Sequence, residues 1–162
     1  MPAGFKLSLQ CRSGAPRKPS RAAWTALFEH AWQHVPAKCR KAAGSDSPAV
    51  DLHLIGDNEI AELNFAHMRH RGATDVLSFP MGEFDPERGA FFLGEIIVSH
   101  ETAVREARLR GLTTENELAR YAVHGFLHLL GYDDSTKTEA AAMSKLQERI
   151  LASAAKKLAV LR

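Results

Sequence analysis

Apolar and polar residues alternate along two short segments in the first third of the chain, the pattern of a half-buried β-strand. The first covers residues 4–11 and the second residues 50–55, where Val50, Leu52 and Leu54 share one face. Two longer apolar runs, residues 74–80 and 90–99, also predict strands. We expect Pro80 to end the first run, residues 81–89 to form a hairpin connection, and the second run to be central in the sheet.

Apolar residues recur at helical spacing in five other segments. The predicted helices run from a Ser20 cap to about His34, from an Asp57 cap to Asn64, over residues 100–110, from Thr113 or Thr114 through residue 130, and from a Ser135 cap towards Leu158. Glu117 completes a predicted capping box at the start of the fourth helix. Residues 13–19, 36–48 and 65–73 read as connections. The pattern predicts one α/β (α+β) domain over residues 1–162, with a mixed sheet of about four strands and about five helices.

Composition narrows the class of protein. The 162 residues are 45% hydrophobic and 25% charged, which is ordinary for a globular chain. We expect a cytoplasmic protein, because no apolar run approaches the roughly 20 residues of a membrane span and the N-terminus lacks a signal-peptide core. Cys11 and Cys39 are far apart and are expected to be reduced thiols.

The net charge of +2 is unevenly distributed. Residues 1–48 hold eight lysines and arginines against two acidic residues, a net of +6, and the remainder is net −4. A basic segment of this kind binds phosphates or is simply a solvated surface, and charge alone leaves both interpretations open.

The fourth helix carries the strongest chemical signal. His124 and His128 lie four residues apart, so both imidazoles reach the same side of the helix. Gly131 is expected to end the helix, and Asp134 follows from the next turn. Two histidines and one carboxylate form three corners of a tetrahedral metal site with the fourth position open, as in catalytic metal centres. Asp133 is an alternative ligand, or an outer residue that accepts an imidazole N–H.

Several functions are compatible with such a site. A zinc peptidase needs a glutamate directly after the first histidine, and this chain has Gly125 there. The facial triad of a non-haem iron enzyme, metal-assisted hydrolysis of a phosphodiester, and a structural metal on an RNA-binding surface remain open. The loop at residues 65–73 supplies Arg69 and Arg71 as candidate phosphate contacts. His30 and His34 share the helical spacing, but they have no third ligand nearby in sequence and are expected to face solvent.

Four blocks of the sequence resemble the YbeY family of bacterial rRNA maturation factors and endoribonucleases. They are Leu63-Asn64, residues 72–80, residues 93–98 and residues 124–134, in the family's order. The resemblance implies a cytoplasmic, single-domain endoribonuclease that uses one zinc ion (Zn2+) and cleaves single-stranded RNA. It further implies a role at the 3′ end of 16S rRNA, in ribosome quality control and on the small ribosomal subunit.

Two positions depart from the family pattern. Asp134 occupies the place of a third histidine ligand, which leaves a bound divalent ion with a net charge of about +1 instead of about +2 and makes its water less acidic. Met68 occupies the place of the family's functional arginine, so Arg69 or Arg71 would have to replace it from an adjacent position. The alternative function is therefore a ribosome-associated factor that binds metal and RNA with weak or no cleavage.

Overall fold

A computed structural model of the chain describes residues 4–12, 20–44 and 47–158. Its four strands form one mixed sheet in the order β1-β2-β4-β3. The strands are β1 (Lys6–Cys11), β2 (Pro48–Ile55), β3 (Val76–Asp85) and β4 (Ala90–Ser99). β2 pairs in parallel with both β1 and β4, whereas β3 and β4 form an antiparallel hairpin. The predicted mixed sheet and the inner position of β4 are confirmed.

Seven helices lie in the described part of the chain. They are α1 (Arg21–His34), α2 (Ala37–Ala42), α3 (Asp57–Met68), α4 (His100–Arg110), α5 (Thr114–Leu129), α6 (Lys137–Ser153) and α7 (Ala155–Leu158). Five of them correspond to the predicted helices, and α7 follows directly after α6. The predicted loop at residues 13–19 lies outside the described residues.

The predicted polar connection over residues 36–48 needs correction, because the short helix α2 lies within it. The cause is a contact that the apolar pattern cannot show. The Arg40 guanidinium donates hydrogen bonds to the carbonyl oxygens of Trp32, Gln33 and Val35, at 3.2, 3.1 and 2.8 Å. These carbonyls end α1 without intrahelical partners, so α2 supplies them with a cationic donor.

The predicted end of β3 at Pro80 is also wrong, since the strand continues to Asp85 after a shift in register between Pro80 and Glu83. β3 is an edge strand, and a proline is tolerated where its missing N–H would face away from the sheet. Similarly, α3 does not close at Asn64 but continues to Met68, and Arg69 ends it in the left-handed conformation with φ 59°.

Three predicted helix caps need correction. Gly56 is the N-cap of α3, while the Asp57 carboxylate turns away to accept hydrogen bonds from Ser99 and Thr102. Thr113 caps α5 through the Asn116 N–H, which leaves Glu117 one position too late for a capping box. Thr136, not Ser135, caps α6 and forms a capping box with Glu139. The predicted Ser20 cap of α1 is confirmed.

The sheet positions α5 by close packing. One face of the sheet is covered by α1 and α5, with α6 packed against these two helices, and α3 packs its Ile60 on the other face against Ile55, Leu77 and Ile97. A β-carbon added at Gly125 would lie only 2.7 Å from the Ile96 Cγ2 atom, so glycine lets α5 lie directly on the sheet. The last turns of α5 thereby reach the free edge of β3. Within the described residues, the helices are too short or too polar to cross a membrane.

Candidate metal centre

The two histidines meet on the last turns of α5. Their rings stand almost perpendicular, at 82°, with centroids 4.7 Å apart. The His124 and His128 Nε2 atoms are 3.1 Å apart. Both side chains are about one-quarter to one-third exposed, at 30% and 26%, so a ligand in solution can reach them.

The end of α5 brings a carboxylate to the same point. Gly131 adopts φ 94°, the Gly131 N–H bonds to the His128 carbonyl at 3.0 Å, and the Tyr132 N–H bonds to the Leu127 carbonyl at 3.1 Å. This pair of bonds is the Schellman motif, which reverses the chain at a helix end. The reversal places the Asp134 Oδ2 atom 3.6 Å from each Nε2. The turn at Gly131, predicted as the helix stop, therefore brings Asp134 to the two histidines.

Each imidazole is oriented by an oxygen on its far side. The His124 Nδ1 atom lies 2.8 Å from the Gln147 side-chain oxygen, and the His128 Nδ1 atom lies 2.9 Å from the Tyr132 carbonyl oxygen. Both oxygens only accept hydrogen bonds, so both Nδ1 atoms carry the proton. In neutral rings the Nε2 lone pairs then point towards each other and towards Asp134.

This arrangement fits a metal ion. With both Nδ1 atoms protonated, two lone pairs face each other across 3.1 Å, and a shared cation would relieve their repulsion. Zinc bonds of about 2.0–2.2 Å at tetrahedral angles separate neighbouring ligand atoms by about 3.3–3.5 Å. The observed separations of 3.1 and 3.6 Å bracket that value. His124, His128 and Asp134 form a group able to hold an ion, and the chemistry of the donors suits zinc.

Asp133 has a different position from Asp134. Its Oδ1 atom accepts the main-chain N–H groups of Asp134 at 2.7 Å and Ser135 at 3.2 Å. Hydrogen bonds from Ser135 and from the Asp134 main chain lower the pKa of this carboxyl. The role of accepting an imidazole N–H, predicted as one alternative for Asp133, is taken by the Gln147 side chain and the Tyr132 carbonyl. Asp133 shapes the loop that presents Asp134.

Sequence reasoning missed Gln147. It lies on α6, 23 residues after His124, and is buried with only 8% of its surface exposed. No spacing rule connects it to the histidine pair. A buried amide on an otherwise apolar helix face was the available signal, since such a group needs a polar partner.

An open cavity of about 720 Å³ extends from the three ligand side chains to the edge of the sheet. Met68 and His70 line it from one side, residues 74–80 from the second, and residues 131–134 from the third. The predicted phosphate contacts are not among the lining residues. Arg69 ends α3, with its guanidinium 5.9 Å from the Phe65 ring centroid, and Arg71 is exposed in the following loop.

The other titratable clusters have structural partners. The His30 and His34 rings contact each other with centroids 4.1 Å apart and a tilt of 37°, and the His34 Nδ1 atom bonds to the His30 carbonyl. Glu95, a carboxylate on β4, lies 3.8 Å from His53 and close to Asp51. The Arg88 guanidinium holds both Asp51 oxygens, at 2.6 and 3.0 Å, and so neutralises that carboxylate.

The chain is similar in sequence to known proteins. The chain is 47% identical over 110 residues to the endoribonuclease YbeY of Moorella thermoacetica, covering 64% of this chain and 70% of that protein. The Myxococcus xanthus and Aquifex aeolicus endoribonucleases YbeY are 42% and 44% identical, over 63% and 57% of this chain. The matched regions span only 35% and 60% of those two relatives.

A solved structure extends the likeness to the fold. The solution structure of TM1509 from Thermotoga maritima superposes with a TM-score of 0.52 at 26% identity, covering 95% of this chain and 88% of that one. The family model of endoribonuclease YbeY matches residues 13–155, which include all three candidate metal ligands. The chain belongs to the endoribonuclease YbeY family.

Proposed function

We propose that this protein is a zinc-dependent endoribonuclease that cleaves single-stranded RNA. The observation that carries the proposal is the convergence of the His124, His128 and Asp134 donor atoms in the lining of a cavity large enough for a nucleotide. Family membership supports the substrate class, because the relatives are named endoribonucleases.

The residues divide the work as follows. His124 and His128 supply neutral nitrogen donors, fixed in one tautomer by Gln147 and Tyr132. Asp134 adds the one negative charge of the ligand set. When bound, a zinc ion supplies Lewis acidity towards a phosphoryl oxygen or a water molecule. Peptidase chemistry has no support, because a side chain at position 125 would collide with β3 and β4 and could not serve as a base in the cavity.

Phosphate contacts are proposed at the rim of the cavity. Arg69 and Arg71 are exposed beside His70, which does line the cavity. They would hold phosphates of the RNA that lie outside the cavity, next to the scissile one. The basic residues of the first 48 positions would add long-range attraction for RNA, although Arg12 is already paired with Glu59 at 3.2 Å.

The cellular role follows from the family resemblance. We propose that the protein acts in the cytoplasm on the small ribosomal subunit, in maturing the 3′ end of 16S rRNA and in ribosome quality control. Selectivity would come partly from single-stranded shape, because only unpaired nucleotides leave their bases open to a protein. The ribosomal context would supply the rest.

Metal analysis paired with RNA cleavage tests this function. The purified protein should contain or take up one zinc ion per chain, and the loaded protein should cut a single-stranded oligoribonucleotide. His128→Ala should abolish both. His30→Ala is the matched control, because His30 also belongs to a helical histidine pair but lies on α1 away from Asp134. Cleavage that persists in His128→Ala or after chelation would refute the proposal.

A second function is favoured by one observation. Met68 lines the cavity, is 52% exposed, and cannot bind phosphate at the position where the family resemblance places an arginine. We propose, as the alternative, a ribosome-associated factor that binds metal and RNA but cleaves slowly. Stoichiometric zinc and RNA binding without cleavage would identify it.

A further inference from the structure

One wall of the cavity is a sheet edge with free main-chain groups. Among the strands of the described residues, β3 pairs only with β4, so no described strand bonds to its other side. The segment that lines the cavity, residues 76–80, lies in the part of β3 before the register shift, where pairing with β4 is regular.

The hydrogen-bond pattern identifies which groups face the cavity. The Ser99 N–H bonds to the Asp75 carbonyl at 3.0 Å, so this pair is a hydrogen-bonded pair of the antiparallel ladder. Such pairs alternate with pairs whose main-chain groups point away from the partner strand. Val76, Ser78 and Pro80 are therefore the residues whose main-chain groups point outward.

Two of these three residues offer no donor. The Asp75 side chain accepts the Val76 N–H at 2.8 Å, and Pro80 has no N–H. Within residues 76–80, Ser78 alone presents both an outward N–H and an outward C=O. Its hydroxyl points elsewhere and donates to the Gly125 carbonyl at 3.2 Å. The edge thus carries one adjacent donor and acceptor pair, in the same cavity as the candidate metal ligands.

We propose that the Ser78 main-chain N–H and C=O bind the Watson–Crick edge of one unpaired RNA base. Every base carries an adjacent acceptor and donor on that edge: N1 and the amino group in adenine, N3 and the amino group in cytosine, O6 and N1–H in guanine, and O4 and N3–H in uracil. The Ser78 pair complements each of them, so the contact tolerates any sequence. It excludes duplex RNA, where this edge is already paired.

A peptide is the other ligand that a sheet edge accepts, and this edge is poorly suited to it. An added peptide strand is held by a ladder of main-chain bonds along several residues. Here the Asp75 side chain already accepts the Val76 N–H, and Pro80 has no N–H, so no free donor is left on either side of Ser78. Natural sheet edges are protected against strand addition in a similar way. One donor and one acceptor are too few for a ladder but sufficient for one base.

This inference rests on the proposed RNA-cleaving function and explains its preference for single strands. It is tested with short oligouridines that carry one N3-methyluridine, placed at each position in turn. The methyl group removes the base donor and leaves the phosphates intact. Binding to the metal-free protein and KM for cleavage by the zinc-loaded protein are both measured.

We expect one position, close to the cleaved phosphate, where methylation weakens binding or raises KM by about 5- to 150-fold, the range for losing one bidentate base contact. Amide NMR should show the Ser78 proton shifting and gaining protection from exchange on RNA binding. The Val76 proton is the internal control, because Asp75 already bonds it.

The outcomes separate this inference from the function beneath it. Cleavage that is equally tolerant of methylation at every position, with an unchanged Ser78 amide, overturns the inference and leaves the nuclease intact. Protection of Ser78 by an extended peptide but not by RNA also overturns it. Absence of both RNA binding and RNA cleavage overturns the nuclease and the inference together.

Discussion

The Gln147 side-chain oxygen accepts the His124 Nδ1–H at 2.8 Å and joins α6 to the metal centre. Outer residues of this kind fix the orientation and basicity of a ligating imidazole, and their loss typically lowers metal affinity about 10- to 100-fold. Because Gln147 is a neutral amide, it orients His124 without adding charge to the site.

We expect Gln147→Leu to weaken zinc binding by about 10- to 100-fold, measured by competition with a chelator of known affinity. Gln147→Glu keeps an acceptor at the same place and should bind zinc at least as tightly as the original chain. Equal loss in both variants would indicate a packing effect and not orientation of His124.

Substitutions of the two consecutive aspartates, Asp133 and Asp134, should have different effects on zinc binding. Asp134→Ala removes a ligand and should abolish stoichiometric zinc binding. Asp133→Ala removes hydrogen bonds that this carboxylate accepts from Asp134 and Ser135 but none of the three candidate ligands, so it should retain one zinc per chain with weakened affinity. Elemental analysis after dialysis distinguishes the pair, and the reverse result would reassign the third ligand to Asp133.

Met68→Arg should increase the rate of RNA cleavage if a missing phosphate contact limits it. The new guanidinium would enter the cavity that Met68 now lines. Removal of comparable electrostatic contacts costs enzymes about 10²–10³ in rate, and a gain of about tenfold or more is expected here. Met81→Arg is the control, since Met81 is equally exposed at 52% but does not line the cavity. Equal effects of the two would show nonspecific attraction of RNA.

Gly125→Ala should destabilise the fold, although alanine normally favours a helix. The added β-carbon would lie 2.7 Å from the Ile96 Cγ2 atom and 3.0 Å from the Ser78 Oγ atom. Overpacking of this kind costs about 1–3 kcal/mol, which denaturant unfolding would measure. Ala141→Gly is the control for helix propensity, because this position of α6 is exposed and no steric collision is involved. Its loss of stability, about 1 kcal/mol, measures the preference of a helix for alanine over glycine. Unchanged stability in Gly125→Ala would show that α5 can move away from the sheet.

Asp57 should contribute to stability in a defined pH range. Burial raises the pKa of Asp57, but hydrogen bonds from Arg105, Ser99 and Thr102 outweigh burial and lower the pKa to about 2 from an ordinary 3.8. A carboxyl with a depressed pKa stabilises the fold above its unfolded pKa, and this stabilisation is lost as pH falls from about 4 to about 2.

The comparison of Asp57→Asn with the original chain tests this. In the metal-free proteins, the unfolding free energies should differ at pH 7 and converge below about pH 2. Thr102→Val removes one of the three donors and should shift the loss to a higher pH. Parallel curves for Asp57→Asn and the original chain would contradict the assignment.

The sequence predicted the parts of this molecule that depend on local pattern. The strands follow from the alternation of apolar and polar side chains, and the long helices follow from apolar residues at helical spacing. The candidate metal site follows from two histidines at that spacing plus a glycine stop. The ends of elements were harder to predict. Pro80 does not end β3 because the strand is at an edge, and edge position depends on the order of strands in the sheet.

Tertiary contacts explain the other differences. The Asp57 carboxylate does not cap α3, because it accepts hydrogen bonds from the Ser99 and Thr102 hydroxyls at the start of α4. Gln147 reaches His124 only because α6 packs against α5. The exposure of Arg69 and Arg71 outside the cavity likewise depends on where α3 ends, and α3 continues four residues past its predicted end.

Two of the three candidate metal ligands lie on a packed helix, and the third lies on an exposed loop. His124 and His128 lie on one well-packed helix, whereas Asp134 lies in the loop after it with 49% of its side chain exposed. An ion would therefore enter and leave through Asp134, and competing chelators would attack from that side. Metal exchange should be governed by opening of this loop, so the protein would exchange zinc quickly for a given affinity. Its occupancy would then follow the supply of zinc in its surroundings.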